Sequence, residues 1–361
     1  AYELRLSLVG SEMCIRDSGM AIGFYLVKGM NNLVLNCDAH DNYDGYSEGD
    51  SGNVDGFGGH TNKETSTGNI FRGCRAWNNG DDGFDLINCY ASYIIEYCWS
   101  FRNGYKPHSI ESSGGNGAGF KSGGYGMGDI KKVPNPIPQH TVRYCLAYYN
   151  RQQGFYSNHH LGGLIFENNT AYKNPSNYNM LNRKSSNEAV DVPGYGHIIK
   201  NNLSLSPRNS GGFPQHLINV DNTLSEIKNN SFAPNDLNLS ESDFESLNEQ
   251  ELMGSRKSDG SLPDINFLRL TNHANFRFSG MGCFINEEAV DYSWIQEPAI
   301  VLENGVARIV GEDSKSFNKF YVNGEEVSIE NGIVDLTSMS GELNLKAISE
   351  NGAVTTLIIN K

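Results

Sequence analysis

The sequence predicts an all-β fold, a right-handed parallel β-helix (solenoid) followed by a small antiparallel β domain. Two repeated units predict the helix. The first runs apolar-x-apolar, then Cys or Asn, and closes five positions later on Asn42, Asn79, Asn103, Asn150 and Asn174. The second is Gly-Phe-x, beginning at Gly23, Gly56, Gly83, Gly119 and Gly154. A supersecondary unit repeated along the chain indicates stacked coils, in which equivalent residues form ladders at roughly 4.8 Å.

Changes in composition along the chain predict its division into domains. Residues 1–18 lack the apolar core and cleavage site of a signal peptide, and we interpret them as a non-native segment. Residues 19–290 are predicted to form an N-terminally truncated helix, with a helical segment near 240–255 that caps its open end. Residues 298–361 alternate apolar and polar residues between hairpin signals, which indicates a small β domain. These signals are the Asn-Gly pairs that begin at Asn304, Asn323, Asn331 and Asn351.

The charge balance limits the possible partners. The chain has 28 basic and 42 acidic residues, a formal net charge of −14, which argues against nucleic acid. We predict no membrane span, because no apolar run approaches the roughly 20 residues that cross a bilayer. An acidic protein that handles an acidic polymer needs a local cation to offset repulsion between like charges. We expect a monomer.

Four cysteines occupy equivalent places in the first repeat: Cys37, Cys74, Cys98 and Cys145. Their separations of 37, 24 and 47 residues contain no Cys-x-x-Cys pair, so a zinc or disulfide site is not favoured. A buried ladder of reduced thiols beside a ladder of asparagines is the interpretation that we prefer, because a thiol packs as a small apolar group.

Alignment of the coils by Gly-Phe-x brings acidic residues together. Asp55 precedes Gly56 and Asp82 precedes Gly83. Asp81 lies beside Asp82, and Asp85 follows in the same strand. Four converging carboxylates repel one another unless a cation lies between them. Calcium (Ca2+) is the expected occupant, since it takes six to eight hard oxygen ligands from flexible acidic loops. The alternative is that these acidic turns face solvent.

Lys121 holds in its coil the position of Asp85 in the preceding one, with Phe120 facing inward. A cation bound to a uronate carboxylate acidifies the proton at C5, and nearby positive charge lowers the pKa of an amine. Lys121 is therefore our candidate base for a β-elimination, although an outward lysine is more often simply solvated. Small residues around it, GGNGAGFKSGG, leave room for a polymer.

Two long insertions flank the acidic coil, from Asn42 to Gly56 and from Asn103 to Gly119, and we expect them to form the walls of a cleft. Strand alternation in the coils after Lys121 predicts outward side chains that contact sugar rings and uronate carboxylates. These candidate substrate-binding residues are Tyr156, Asn158, His160, Arg183 and Lys184.

Three motifs together resemble polysaccharide lyase family 9, which includes pectate lyases and rhamnogalacturonan lyases on parallel β-helices. They are NVDGF at Asn53, NNGDDGFDL at Asn78 and GAGFKSGG at Gly117, within a similarity that extends from Gly19 to residue 285. The resemblance implies that Asp55, Asp81, Asp82 and Asp85 bind catalytic calcium and that Lys121 is the Brønsted base. It also implies a pectic polysaccharide substrate, homogalacturonan or rhamnogalacturonan I. A secreted, periplasmic or cell-surface location follows.

Two other functions stay open at this point. A galacturonase-type β-helix hydrolase also displays clustered aspartates, but it uses two carboxylates across a water and no metal. A non-catalytic, calcium-stabilised β-helix that binds glycan would have no need of Lys121.

Overall fold

In a computed structural model of the chain, the structure describes residues 15–46, 51–125, 133–208, 215–232, 237–284, 299–303, 306–310, 314–329, 332–350 and 352–360. The chain forms two compact units. The first comprises Ala1–Arg269 and Met281–Ile285, and the second comprises Leu270–Gly280 and Asn286–Lys361. Within the described residues, no helix is long and apolar enough to cross a membrane.

The first unit is a parallel β-helix with three seven-stranded sheets, and each coil contributes one short strand to each sheet. Sheet 1 contains Ile15–Asp17, Asp38–His40, Arg75–Trp77, Trp99–Phe101, Leu146–Tyr148, Thr170–Tyr172 and Leu203–Leu205. Sheet 2 contains Phe24–Leu26, Phe57–Gly59, Phe84–Asp85, Phe120–Lys121, Phe155–Tyr156, Tyr178–Asn179 and Leu217–Ile218. Sheet 3 contains Leu33–Leu35, Asn69–Arg72, Tyr93–Glu96, Thr141–Arg143, Ile165–Glu167, Ile198–Lys200 and Glu226–Lys228. The predicted fold class is confirmed.

The first coil begins earlier than expected. Ile15–Asp17 pairs in parallel with Asp38–His40, so pairing starts before the predicted boundary at residue 19. A backbone ladder places few demands on side-chain identity, which explains why composition did not reveal this strand. The origin of residues 1–18 stays a prediction.

Rings stacked inside the coils hold sheet 2 in register. The phenylalanine of each Gly-Phe-x unit points inward and stacks on the next, with ring centroids 4.8–4.9 Å apart from Phe24 to Tyr178. A slip by one residue would turn these rings outward, so burial of the aromatic column specifies the register of the whole sheet.

The predicted asparagine ladder runs through the interior at one bend. The amide Nδ2 of Asn79 donates to Oδ1 of Asn103 at 2.9 Å, and Asn103 donates in turn to Asn150 at 3.0 Å. The predicted cysteine column is also present: Cys37, Cys74, Cys98 and Cys145 are buried free thiols. Asparagine replaces cysteine in the later coils, where Asn169 accepts a hydrogen bond from the backbone of Cys145.

The helical segment near 240–255 forms two short 3-10 helices, Glu241–Asp243 and Glu249–Met253. They lie against the outer side of sheet 1: Arg75 donates to the carbonyl of Leu252, and Arg102 pairs with Glu249 at 2.8 Å. The expectation that this segment caps the open end is wrong, because it lies along the flank of sheet 1 against a row of aromatic side chains. Those side chains are Trp77, Phe101, Tyr148 and Tyr172.

The remaining elements are a hairpin and the second unit. Asn182–Ser185 pairs antiparallel with Glu188–Val192 beside the β-helix. The second unit contains the helix Asn272–Arg277, the 3-10 turn Ser314–Ser316 and two antiparallel sheets. One sheet contains Ala299–Glu303, Val306–Val310 and Ile333–Asp335. The other contains Phe317–Val322, Glu325–Val327, Glu342–Ser349 and Val354–Asn360.

The small antiparallel β domain is thus confirmed, and one of its hairpin signals is described in full. Asn323 and Gly324 both have positive φ and join Phe317–Val322 to Glu325–Val327 through a tight turn. Asn304, Gly305, Asn331 and Asn351 lie outside the described residues.

Candidate active site on the outer face of sheet 2

The outward positions of sheet 2 form a single column along the helix axis. Strand pairing aligns Asp85 with Lys121 on the next coil and Lys121 with Tyr156 on the one after. The full column runs through Tyr25, Gly58, Asp85, Lys121, Tyr156, Asn179 and Ile218. The inward aromatic ladder therefore determines which outward side chains become neighbours.

Three of the four predicted carboxylates form a compact buried cluster. Asp55, Asp81 and Asp82 each offer an oxygen within 4.8 Å of the others. Oδ1 of Asp55 accepts the backbone N–H of Asp82 at 3.0 Å, and Oδ1 of Asp82 accepts that of Ala118 at 2.6 Å. In each case one oxygen fixes the carboxylate to the next coil, which leaves the second oxygen available for another partner.

Asp81 joins the two long insertions. Its Oδ2 accepts the backbone N–H of Asn53 at 2.6 Å, and its Oδ1 accepts that of Asn116 at 2.5 Å. Gly115 makes the close approach possible, since a Cβ there would lie 2.3 Å from the carbonyl oxygen of Gly80. Both insertions thus meet at the acidic cluster.

Electrostatics disfavour the presence of several ionised carboxylates in this cluster. Burial raises the pKa of Asp55 well above its ordinary value, and the carboxylates of Asp85, Asp82 and Asp81 raise it further. Burial likewise raises the pKa of Asp82 to about 8, despite the opposing charge of Lys121. Oδ2 of Asp82 is buried, and among the described residues it has an ion-pair contact with Lys121 at 3.0 Å but no aligned hydrogen bond. A set of crowded, oxygen-only donors suits a hard divalent ion such as calcium.

The fourth carboxylate, Asp85, lies beside this cluster and pairs with the lysine. Nζ of Lys121 is 3.0 Å from Oδ2 of Asp85 and 3.0 Å from Oδ2 of Asp82. The other oxygen of Asp85 accepts the backbone N–H of Ile87 at 2.7 Å. The lysine amine therefore lies between two neighbouring carboxylates.

The protein side chains around Lys121 raise the pKa of its amine. Burial alone would lower the pKa of Lys121, but the surrounding carboxylates, Asp82 and Asp85 first, raise it well above its ordinary value. The expected lowering concerns the site with its cation bound and stays a prediction, whereas the protein side chains by themselves surround the amine with negative charge.

Sequence reasoning missed His60 and Tyr25. Nε2 of His60 lies 3.8 Å from Oδ2 of Asp85, and its Nδ1 lies 3.3 Å from the hydroxyl of Tyr25. Burial lowers the pKa of His60, so its ring is neutral at neutral pH. The Gly-Phe-x alignment already placed Tyr25 in the column of Asp85, but no repeat signal marked His60.

Two of the predicted substrate-binding residues lie near Lys121. Tyr156 follows it in the column, and its hydroxyl lies 2.9 Å from Nε2 of His159. Burial raises the pKa of Tyr156 to about 12. Asn158 is half-buried and donates to the carbonyl of Gly123 at 2.7 Å.

The predicted outward orientation of His160 is wrong. Its side chain is fully buried, its Nε2 lies 3.0 Å from the carbonyl oxygen of Pro138, and its Nδ1 accepts from Gly124. Asn158 and His159 both have positive φ, near 55°, which breaks the alternation of the strand and turns the next side chain inward.

Arg183 and Lys184 both lie on the hairpin, but their side chains have different surroundings. Arg183 is 4% exposed, with a guanidinium nitrogen 3.8 Å from Asp191, which in turn pairs with His159 at 2.6 Å. Lys184 is exposed and pairs with Glu188 at 2.8 Å. The hairpin thus brings Arg183 into a polar group with His159, whereas Lys184 faces solvent.

The protein is thus of the parallel β-helix class. Its candidate cation site consists of buried carboxylates and an amine that stacked coils present on one outer face. The chain belongs to the Pel9A-like right-handed β-helix family, whose model matches residues 9–224. A second family model, described as rhamnogalacturonan lyase-like, C-terminal, matches residues 221–356. The family resemblance predicted from the sequence is confirmed.

Three relatives illustrate the similarity. Pectate lyase L of Dickeya chrysanthemi is 35% identical over 265 residues, which cover 73% of this chain and 54% of that protein. The solved structure of a rhamnogalacturonan lyase is 53% identical with a TM-score of 0.67, covering 75% of this chain and 66% of that one. The crystal structure of pectate lyase Pel9A is 30% identical with a TM-score of 0.59, covering 76% and 65%. The chain therefore spans about half the length of the first relative and just under two-thirds of the two solved structures.

Proposed function

We propose that the protein is a polysaccharide lyase that cleaves the galacturonate-containing backbone of pectin by β-elimination. One observation carries the proposal: the amine of Lys121 lies 3.0 Å from two carboxylates, beside a cluster of three buried aspartates. An elimination needs an amine base and a positive charge beside the uronate carboxylate, and this face offers both a lysine and a cation site. The pectate and rhamnogalacturonan lyases among its relatives support the same reaction.

Asp55, Asp81 and Asp82 would hold calcium, with Asp85 as the fourth ligand once its carboxylate turns from the lysine. Oxygen-only donors at high density fit this ion, and the raised pKa values of Asp55 and Asp82 support a need for positive charge. When bound, calcium supplies charge that stabilises the carbanion developing at C5 of the uronate.

Lys121 would accept the C5 proton at Nζ. The C–H electrons form the C4–C5 double bond, and the C4–O electron pair leaves on the oxygen, which takes a proton from solvent or from the Lys121 ammonium. The next sugar is thus released with no net consumption of water. Lys121 can do this only as the free amine, which alkaline pH and neutralisation of the surrounding carboxylates both favour. Asp82, 3.0 Å from the amine, would orient it before substrate arrives.

The close spacing of the carboxylates argues against the hydrolase alternative. An inverting glycosidase holds its two carboxyl groups about 6.5–9.5 Å apart so that a water fits between them. Oxygens of Asp55, Asp81 and Asp82 lie within 4.8 Å of one another, and Lys121 bridges Asp82 and Asp85. This arrangement suits a cation better than a nucleophilic water.

Rhamnogalacturonan I is the substrate that we favour over homogalacturonan. The rhamnogalacturonan lyase structure is 53% identical to this chain, against 30% for pectate lyase Pel9A, and the C-terminal family model carries the rhamnogalacturonan name. A polymeric substrate of this size also implies that the protein acts outside the cytoplasm, as a secreted, periplasmic or cell-surface enzyme.

The test is to incubate the whole chain with rhamnogalacturonan I and, separately, with polygalacturonate at alkaline pH, in calcium or in a chelator. We expect ultraviolet absorbance from unsaturated sugar ends in calcium alone, with the faster rate on rhamnogalacturonan I. New reducing ends without this absorbance, unaffected by the chelator, would establish a hydrolase instead. Binding without cleavage in either condition would establish a non-catalytic glycan-binding protein.

A further inference from the structure

Tyr25 is an exposed aromatic residue in the same outward column as the catalytic candidates. It lies two coils before Asp85, roughly 10 Å away along the helix axis, and it is 52% exposed. An exposed ring at such a distance from the reacting position is where a polysaccharide would place another sugar. None of the roles assigned above uses Tyr25.

The column position between Tyr25 and Asp85 is Gly58, which has no side chain. This allows Tyr25 to lean toward the site. A Cβ on Gly58 would lie 3.0 Å from Cδ2 of Tyr25, so the ring rests directly over the glycine backbone. Beyond it, the rings of Tyr25 and His60 meet edge to face, with centroids 5.1 Å apart and planes at 87°. A side chain at position 58 would separate these two rings.

His60 connects Tyr25 to Asp85. Its Nδ1 faces the tyrosine hydroxyl at 3.3 Å, and its Nε2 faces Oδ2 of Asp85 at 3.8 Å. Nε2 is buried and has no hydrogen-bond partner within the part of the chain that the structure describes. A bare ring nitrogen facing a carboxylate would be repelled, so the favourable tautomer has Nε2–H toward Asp85 and Nδ1 accepting from Tyr25.

We propose that Tyr25 and His60 form a sugar subsite that is coupled to the cation site, in which His60 is a positioning residue for Asp85. The ring of Tyr25 packs against a sugar of the bound chain, and its hydroxyl holds His60 in the tautomer whose Nε2–H points at the carboxylate, 3.8 Å away. His60 thereby directs Oδ2 of Asp85, the oxygen that also faces Lys121. The sugar-binding part of this inference rests on the proposed function, whereas the contact between His60 and Asp85 does not.

The first experiment titrates the whole chain with calcium chloride in the absence of any sugar, by calorimetry. Replacing a residue that orients a metal-ligating carboxylate weakens metal affinity by about 10- to 100-fold. We expect this loss in His60→Leu, a partial recovery in His60→Gln, which keeps an N–H donor, and a smaller loss in Tyr25→Phe. Matched controls are His273→Leu, an exposed histidine of the second unit, and Tyr97→Phe, an exposed tyrosine elsewhere on the helix.

The second experiment measures kcat and KM on oligosaccharides of increasing length. Tyr25→Ala should raise KM about two- to tenfold beyond the effect of Tyr25→Phe. This increase should occur only for oligosaccharides long enough to reach Tyr25. Gly58→Ala, which displaces the ring but keeps it, should change KM in the same direction.

The outcomes separate this inference from the proposed function. If the wild-type protein makes no unsaturated product, the proposed lyase is wrong and the sugar subsite falls with it, while the calcium titration still tests the link from His60 to Asp85. If the wild type is active and the His60 variants bind calcium like the controls, the positioning role is overturned. Equal KM values for Tyr25→Ala and Tyr25→Phe on long chains would overturn the subsite.

Discussion

Lys121 and Asp85 occupy the same outward position on two hydrogen-bonded coils, and the lysine Nζ lies 3.0 Å from the aspartate Oδ2. Their inward neighbours, Phe120 and Phe84, stack with ring centroids 4.9 Å apart. The same register thus builds core and site, since each strand presents one residue to each side. Both charged side chains are almost fully buried, so loss of the lysine would leave Asp85 without its cationic partner, whereas loss of Asp85 would leave the lysine paired with Asp82 at 3.0 Å.

Replacement of Lys121 should abolish elimination. Loss of a general base typically lowers the rate by about 10²- to 10⁴-fold, so Lys121→Ala should show this loss in kcat. Lys121→Arg keeps the positive charge between Asp82 and Asp85 but cannot act as a base near neutral pH, and we expect the same loss. The rate is followed by ultraviolet absorbance in saturating calcium, with Lys200→Ala on sheet 3 as the control. An active arginine variant would contradict the role of Lys121 as base.

Calcium should stabilise the protein more at pH 8 than at pH 5. The pKa of Asp82 is about 8 in the folded protein and near 3.8 in the unfolded chain, because burial disfavours its charged form. Between those values the folded state holds a proton that the unfolded chain has released, so stability without calcium decreases as pH rises. Calcium competes with this proton, and its effect on Tm therefore grows with pH.

Thermal unfolding in calcium and in chelator, at both pH values, measures this difference. In Asp82→Asn the pH dependence of the calcium effect should become smaller, with the part due to Asp55 remaining, whereas Asp264→Asn, an exposed carboxylate, should behave like the wild type. Equal calcium shifts at pH 5 and pH 8 in the wild type would show that the cluster does not take up a proton.

Acid should destabilise the helix through its buried histidines. Burial lowers the pKa of His160 to about 4 and that of His197 to about 3, against 6.5 in an unfolded chain. Below pH 6.5 the unfolded chain gains protons that the folded protein cannot, so their contribution to stability is lost as pH falls toward 4. For His160 the difference amounts to about 3 kcal/mol.

The contribution of His160 is measured by urea unfolding in calcium at several pH values between 4 and 7. The free energy of unfolding should fall less steeply with acid in His160→Gln than in the wild type, whatever its value at pH 7. His273→Gln, at an exposed position, should keep the wild-type slope. Parallel slopes for wild type and His160→Gln would rule out a buried neutral His160.

The asparagine ladder should contribute strongly to stability. Oδ1 of Asn103 accepts from both the backbone and the side chain of Asn79, and its Nδ2 donates to Asn150. Asn103→Ala leaves these buried groups unsatisfied, at about 1–3 kcal/mol each, so we expect a loss of about 2–5 kcal/mol in urea unfolding. Asn187→Ala, exposed in the hairpin, should cost less than about 0.5 kcal/mol. A similar small cost for Asn103→Ala would mean that water replaces the ladder.

Much of the site follows from the repeat because in-register stacking turns equivalent sequence positions into spatial neighbours. Asp55 and Asp82 precede equivalent glycines, and the structure brings them together with Asp81. The ion pair between Asp85 and Lys121 was harder to predict from the sequence, because the partner of a carboxylate depends on rotamers and on competing charges. His60 was missed for a related reason: it lies just beyond the repeat, and only the turn of the coil points it at Asp85.

The sequence by itself determined the β-helix, the antiparallel sheets after it and the column that places Lys121 after Asp85, because alternation and stacking are periodic and can be counted along the chain. Only the tertiary structure decided the orientation of side chains at positions where the alternation of the strands is interrupted. Two successive left-handed residues bury His160, the hairpin turns Arg183 toward Asp191, and the four crowded carboxylates raise the pKa of Lys121. Local backbone geometry and electrostatic surroundings have no fixed period, and they depend on which parts of the chain come together in space.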